Sequence, residues 1–208
     1  MVRRLSGTPG RRGRPAGKFS PGQSATKSAR FTNVTDPTPP IETYWVISGK
    51  FMAGEYPGTR LVYDPLLARK LDYLLEQKIS YFLDLTEPGA LTPYDEKLFE
   101  EAGWLGYKVE YQRFPIPDYG VPSRAKMNEL LDTLDAALEA GQAVYAHCWG
   151  GIGRTGTVVG CYLVRHGLTG EQALARLADL RTGLPDAWRR SPESDAQWQM
   201  VLEWDRTK

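Results

Sequence analysis

An α/β fold with a central, mainly parallel sheet flanked by helices, preceded by a disordered N-terminal arm, is what this 208-residue sequence predicts. Three observations predict it. Segments with helical apolar spacing alternate with short apolar runs of strand length, the pattern of a sheet covered by crossover helices. Residues 143–165, AVYAHCWGGIGRTGTVVGCYLVR, read as a strand, a glycine-rich turn and a buried helix in direct succession. Residues 1–40 are rich in Gly, Pro, Ser and Thr and carry no sustained apolar periodicity, so they cannot bury enough surface to offset their ordering entropy.

In the body, Tyr44–Ile47 and Lys50–Ala53 read as two short strands around a tight turn at Ser48-Gly49. Gly54–Gly58 forms a loop. Asp64 as N-cap and Pro65 in the first helical position open a helix to about Gln77, with Leu66, Leu67, Leu71, Leu74 and Leu75 on one face. Tyr81–Leu85 is a compact apolar run, a buried strand broken by Thr86-Glu87-Pro88-Gly89. Thr92 and Pro93 start a second helix to about Ala102, and Tyr107–Phe114 is a further strand. Pro115, Pro117 and Pro122 make the next segment a loop, since none fits a helix interior or a central strand. Ser123 caps a long helix to about Ala140 with Met127, Leu130, Leu131, Leu134 and Leu138 on its buried face, and Gly141 stops it. Gly170 starts another helix to about Arg181.

The chemistry is concentrated at residues 147–155. Cys148 follows the strand, and Arg154 comes six residues later, with Gly150, Gly151 and Gly153 between them. A strand, a glycine turn and a helix start make an anion cradle, because backbone N–H groups and the positive end of the helix dipole face one spot. Those dipoles favour a thiolate over a thiol. Arg supplies a planar fork able to bond two phosphoryl oxygens together, where Lys would supply a point charge. Such a loop holds a phosphate dianion with a nucleophilic sulfur behind the phosphorus.

His147-Cys148 through Arg154-Thr155 resembles the HCxxGxxRT form of the signature of cysteine-dependent protein tyrosine phosphatases. Similarity is closest to the compact dual-specificity branch and covers about residues 41–208, read as one catalytic domain after the arm of residues 1–40. The resemblance implies a phosphatase-like fold and a phosphomonoesterase acting on phosphotyrosine, and on phosphoserine or phosphothreonine, in a protein or peptide through a cysteinyl-phosphate. It implies Cys148 as nucleophile, with Trp149, Gly150, Gly151, Ile152, Gly153 and Arg154 binding the phosphate. Asp118, in RFPIPDYGVP, matches the family's acid loop and would protonate the leaving oxygen, although a turn aspartate bonding its own backbone fits the same segment. Thr155 would bond the sulfur when it leaves, or bond an orphan amide of the helix start. His147 would tune the thiol indirectly and fix the loop through hydrogen bonds, although its position suits a buried, satisfied histidine equally well. Gln197, or Glu193 in its stead, would sit near the hydrolytic water; Ser194 with Gln197 three residues on equally has the spacing of a capping box.

Charge is divided unevenly. Residues 1–40 hold eight basic side chains (Arg3, Arg4, Arg11, Arg12, Arg14, Lys18, Lys27, Arg30) and one acidic, Asp36; of the chain's 26 basic and 25 acidic residues, 18 and 24 remain for the body, a net of −6. The arm is either a tether for an acidic or nucleic-acid partner or a solvated tail. No apolar run is long enough to span a bilayer, and no apolar segment follows Arg3-Arg4 as a secretion signal would require. Two cysteines are too few for a disulfide framework or a zinc site, so no metal and no cofactor are expected. A nucleophilic thiolate survives in reducing surroundings, which points to the cytoplasm. Cys161, mid-helix, reads as a core filler or, if geometry allowed, a resolving thiol. His166 falls at a helix C-terminus near the dipole. Arg181, Arg189 and Arg190 read as surface charges or as a substrate-facing edge. An RNA 5′-triphosphatase or an inositol-phosphate phosphatase would use the same loop, the latter usually with loop lysines that are missing here. A non-catalytic phosphate-binding module and a rhodanese-type sulfurtransferase are further alternatives, and neither needs an aspartate in a proline-rich loop.

Overall fold

The computed structural model describes residues 39–58 and 65–204. Asp64 as a helix cap and the arm of residues 1–40, apart from Pro39 and Pro40, lie outside the described residues. Five strands form one sheet, in the order β1-β2-β5-β3-β4: β1 (Thr43–Ile47), β2 (Phe51–Gly54), β3 (Tyr81–Asp84), β4 (Glu110–Arg113) and β5 (Val144–His147). Only β1 and β2 run antiparallel, joined by the predicted turn, in which Gly49 takes φ +70° and the Lys50 amide bonds the Ile47 carbonyl at 3.0 Å. The other three pairings are parallel, so the sheet is mainly parallel as expected.

Strand alternation sends side chains into two cores. Phe51, Ala53, Leu83, Val144 and Ala146 face α3 (Arg124–Glu139), α4 (Gly153–Arg165), α5 (Gly170–Leu180) and α6 (Asp195–Leu202). Met52, Phe82 and Tyr145 face α1 (Leu67–Glu76) and α2 (Asp95–Leu105). A strand buried on both faces reads as a continuous apolar run, which is why Tyr81–Leu85 was legible.

Helix starts follow local chemistry where the cap lies in the sequence. The Ser123 hydroxyl accepts the Lys126 amide, and α5 and α6 both begin with complete capping boxes, Thr169/Gln172 and Ser194/Gln197. Three boundaries differ from expectation. Helix α1 begins at Leu67 with Leu66 as its N-cap, leaving Pro65 outside. Helix α2 begins at Asp95 rather than at Thr92-Pro93, because the Tyr56 hydroxyl takes the Thr92 carbonyl at 3.0 Å and Tyr94 turns into the core. Strand β4 starts at Glu110, since Gly106 is left-handed and the Tyr107 amide folds back on Ala102 at 2.9 Å to end α2. On α3, Ala137 is fully buried and Leu138 only half so.

Helices α4 and α6 cross where Gly160 lies under Val201; a Cβ on Gly160 would sit 2.6 Å from a Val201 methyl. Val201 is fully buried and cannot swing aside. Gly160→Ala should therefore lower stability by about 1–3 kcal/mol through overpacking. A urea midpoint equal to wild type would show the crossing to be looser than drawn.

Candidate active site

Central strand β5 lies between β2 and β3, with His147 in register with Gly54 on one side and Asp84 on the other. Cys148 therefore leaves the sheet at its carboxyl end, where open α/β sheets place ligands. The turn back into α4 is pinned at three carbonyls. His147 O accepts the Leu85 amide at 2.9 Å, Trp149 O accepts the Tyr56 amide at 2.9 Å, and Ile152 O accepts the Ser191 hydroxyl at 2.7 Å. Gly151 has φ +69°, and a Cβ there would lie 2.5 Å from the Gly54 carbonyl carbon, so only glycine fits. Ile152 is the N-cap of α4 and supplies no capping side chain, leaving the helix start open for an anion.

Above this turn is a cavity of about 200 Å³ whose wall includes Cys148, Trp149, Gly150, Ile152, Gly153 and Arg154. Asp118 and Tyr119 from the proline loop, and Arg189, Glu193 and Gln197 from the chain before and within α6, complete it. Sequence reasoning placed Cys148, Trp149, Gly150, Ile152, Gly153, Arg154, Asp118 and Gln197 at one site, and the fold brings all eight together. Gly151 does not line the cavity; its role is the close packing against Gly54. Gln197 forms the expected capping box and also reaches the cavity. It is fully buried in α6.

Arg154 is 5% exposed and forms a 2.9 Å ion pair with Asp118, while its other nitrogen donates to the Ile116 carbonyl at 3.4 Å. Asp118 thus faces the cavity and is not a turn aspartate bonding its own backbone; its carboxylate stays 61% exposed. Arg189 is ion-paired with Glu193. Each cation of the wall is thus matched by a carboxylate. Arg181, in contrast with the surface reading, is buried and tied to Asp186 at 2.7 Å and to the Arg189 carbonyl at 3.1 Å. Arg189 is the wall residue that sequence reasoning weighed mainly as an ordinary surface charge.

Thr155 is fully buried and its hydroxyl has no hydrogen-bond partner, so it bonds neither a helix amide nor the sulfur in this structure. An unpaired buried hydroxyl costs free energy, a cost Thr155 shares with the buried Tyr44 hydroxyl. Cys161 is buried, and burial pushes its thiol up; both cysteines are free. His166 ends α4 and meets Asp135 at 2.9 Å.

Behind the cysteine lies a buried polar group of which sequence reasoning singled out only His147. The Tyr94 hydroxyl meets His147 Nε2 at 2.7 Å, and His147 Nδ1 faces Asp84 at 4.0 Å. Burial holds the Tyr94 phenol well above its ordinary value, so it keeps its proton; where that proton is donated to Nε2, the imidazole proton sits on Nδ1, on the side of Asp84. Asp84 in turn accepts from Tyr111 at 2.6 Å, from Arg113 at 2.9 and 3.0 Å, and from the Thr86 amide at 2.8 Å. Burial alone would raise the Asp84 carboxyl, but the facing imidazole and these donors outweigh it and hold the group low. An aspartate closing an apolar strand run was the available signal, since Asp is almost never fully buried without partners.

Among the described residues, no three His, Cys, Asp or Glu side chains cluster as metal ligands, and no helix is long and apolar enough to cross a membrane. A cysteine at the carboxyl end of a central parallel strand, an arginine on the next helix and an aspartate loop facing both define a protein of the cysteine-based tyrosine phosphatase superfamily, dual-specificity branch. The family model described as "Polymorphic toxin system, DSP-PTPase phosphatase" matches residues 64–168, and the chain belongs to that family. It is 30% identical over 115 residues to the tyrosine-protein phosphatase CDC14 homolog of Schizosaccharomyces pombe, spanning 55% of this chain but only 20% of that protein. Tk-PTP in its active form superposes with a TM-score of 0.63 at 23% identity, over 80% of this chain and 97% of that one. Kinase-associated phosphatase with its catalytic cysteine replaced by serine gives 0.63 at 22% identity, over 81% and 95%. These two structural likenesses speak to the fold.

Burial pushes His147 down to about 4, against the pull of Asp84 and the Cys148 backbone toward the charged ring. The unfolded chain therefore takes up this proton first as pH falls. Stability from the neutral ring is complete above about 6.5 and is lost progressively down to about 4. The loss should reach about 3 kcal/mol at most. Urea midpoints between pH 7 and 4 should fall in wild type and fall less steeply in His147→Gln; parallel slopes would refute this origin.

Proposed function

We propose that the protein is a phosphomonoesterase that removes phosphate from phosphotyrosine, and from phosphoserine or phosphothreonine, in proteins. The single observation carrying this reading is the cavity that holds Cys148, the open start of α4 and Arg154 within one wall. At about 200 Å³ it is smaller than a drug-sized pocket of roughly 300–1,000 Å³, and it suits a phosphoryl group with the first atoms of its ester.

Cys148 sulfur attacks phosphorus, and the phosphorus–oxygen ester bond breaks as the sulfur–phosphorus bond forms. Arg154 and the loop amides take the equatorial oxygens, and a cradle already in place stabilises their spreading charge without reorganising. Asp118 gives its proton to the departing oxygen and then accepts one from the water that cleaves the cysteinyl-phosphate. Gln197 borders the space that this water enters. Thr155, with a free hydroxyl one residue after Arg154, is suited to stabilising the sulfur as it leaves.

Two features favour a monoester on a protein over a polyanionic inositol phosphate. The loop carries no lysine, and both wall arginines are matched by carboxylates, Asp118 and Glu193. Trp149 and Tyr119, 39% and 59% exposed, stand at the cavity and offer faces to an aromatic leaving group. A nucleophilic thiol needs reducing surroundings, which supports work in the cytoplasm.

Cys148→Ser should abolish phosphate release while leaving inorganic phosphate binding intact by calorimetry. Turnover of phenyl phosphate by that variant would end the cysteinyl-phosphate mechanism. Asp118→Asn should slow phenyl phosphate about a hundredfold or more and 4-nitrophenyl phosphate much less. Comparable losses on the two esters would remove Asp118 from the acid role.

A further inference from the structure

The loop that carries Asp118 is fastened to the start of α6. The Ser194 hydroxyl accepts the Gln197 amide at 3.2 Å, which caps the helix, and donates to the Tyr119 carbonyl at 2.8 Å. Gln197 Oε1 accepts the Glu193 and Ser194 amides at 3.2 and 3.1 Å, while its Nε2 donates to the Gly120 carbonyl at 3.0 Å. One capping box therefore serves two purposes. It starts a helix and holds the two carbonyls that directly follow Asp118.

That loop needs holding. Tyr119 has φ +57°, a left-handed conformation that costs a bulky residue free energy and persists only where its surroundings impose it. The Gly120 amide closes a turn on the Pro117 carbonyl at 2.9 Å, so residues 117–120 wrap tightly around Asp118. On the other side of the loop the Ile116 amide bonds the Leu85 carbonyl at 3.1 Å, but the ties nearest Asp118 are longer: its own amide to Glu87 at 3.3 Å and Arg154 to the Ile116 carbonyl at 3.4 Å. Without the Ser194 bond, Tyr119 could relax and carry the neighbouring carboxyl away from the cavity, and small misplacements of a reacting group are costly.

We propose that Ser194 is a positioning residue: its bond to the Tyr119 carbonyl aims the Asp118 carboxyl at the departing oxygen. This rests on the acid role of Asp118 in the function proposed above. Capping and aiming separate by mutation. Ser194→Asp still caps α6 but has no proton for the carbonyl, and Ser194→Gly is a tolerated, uncharged cap without a hydroxyl. Ser194→Thr keeps both functions.

The experiment measures kcat/KM on phenyl phosphate and 4-nitrophenyl phosphate, with melting midpoints as the check on folding. Expected for S194D and S194G is a loss of about fivefold on phenyl phosphate, the worth of one neutral hydrogen bond, with little loss on 4-nitrophenyl phosphate. S194T should match wild type. In an Asp118→Asn background, S194G should cause no further loss. Equal losses on both esters, or an undiminished loss in that background, overturn the aiming role while leaving the phosphatase reading intact. A wild-type protein inactive on both esters overturns the phosphatase reading and this inference with it.

Discussion

A buried strand must turn into a buried helix within five residues, and the amides at that helix start find no capping side chain. This constraint governs the rest of the site. Strand β5 cannot move, because it is paired on both edges. Helix α4 cannot move either, because all but two of its thirteen residues are buried. The backbone between them is tied down as well, through the carbonyls of His147, Trp149 and Ile152, so the turn holds its shape between two fixed elements. Pre-organisation of this kind is where such a cradle obtains its strength.

The polar group behind the loop answers part of a problem that this burial creates. His147 is fully enclosed at the end of β5, and an imidazole there needs partners for both nitrogens. Tyr94 satisfies one. Asp84, on the neighbouring strand and in register with His147, faces the other at 4.0 Å, beyond hydrogen-bond reach, so Nδ1 is left without a hydrogen-bond partner; Arg113 and Tyr111 from β4 keep that carboxylate charged. Burial keeps the ring neutral, and the Tyr94 bond fixes its orientation at the end of β5.

The sequence made the loop legible because every signal for it is local: an apolar strand, glycines, then an apolar helix. The caps at Ser123 and Ser194 were legible for the same reason. Arg189 was not, because it joins Cys148 only through the approach of α6 to α4, set by Gly160 against Val201 and Gly156 against Ser191. The start of α2 slipped by three residues because Tyr94, which has the sequence of a helix residue, is claimed by His147 across the sheet. Asp84 lay within an apolar run that marked a strand correctly but concealed the one charged side chain in it. Long-range contacts decided each of these cases.

The pairing of Arg154 with Asp118 gives the final step of the argument. An ion pair whose carboxylate is more than half exposed contributes under about 1 kcal/mol, so it yields readily to a better anion. A phosphoryl dianion offers the guanidinium two oxygens at once and is further stabilised by the helix start, neither of which the single Asp118 oxygen can match. In the proposed reaction, binding of phosphate therefore releases the carboxylate from Arg154. The released group does not drift, since the bonds to the Tyr119 and Gly120 carbonyls keep its backbone over the cavity. In that reaction the two wall functions, gripping the phosphate and presenting a carboxyl to the ester oxygen, are thus coupled through one contact, the Arg154–Asp118 pair.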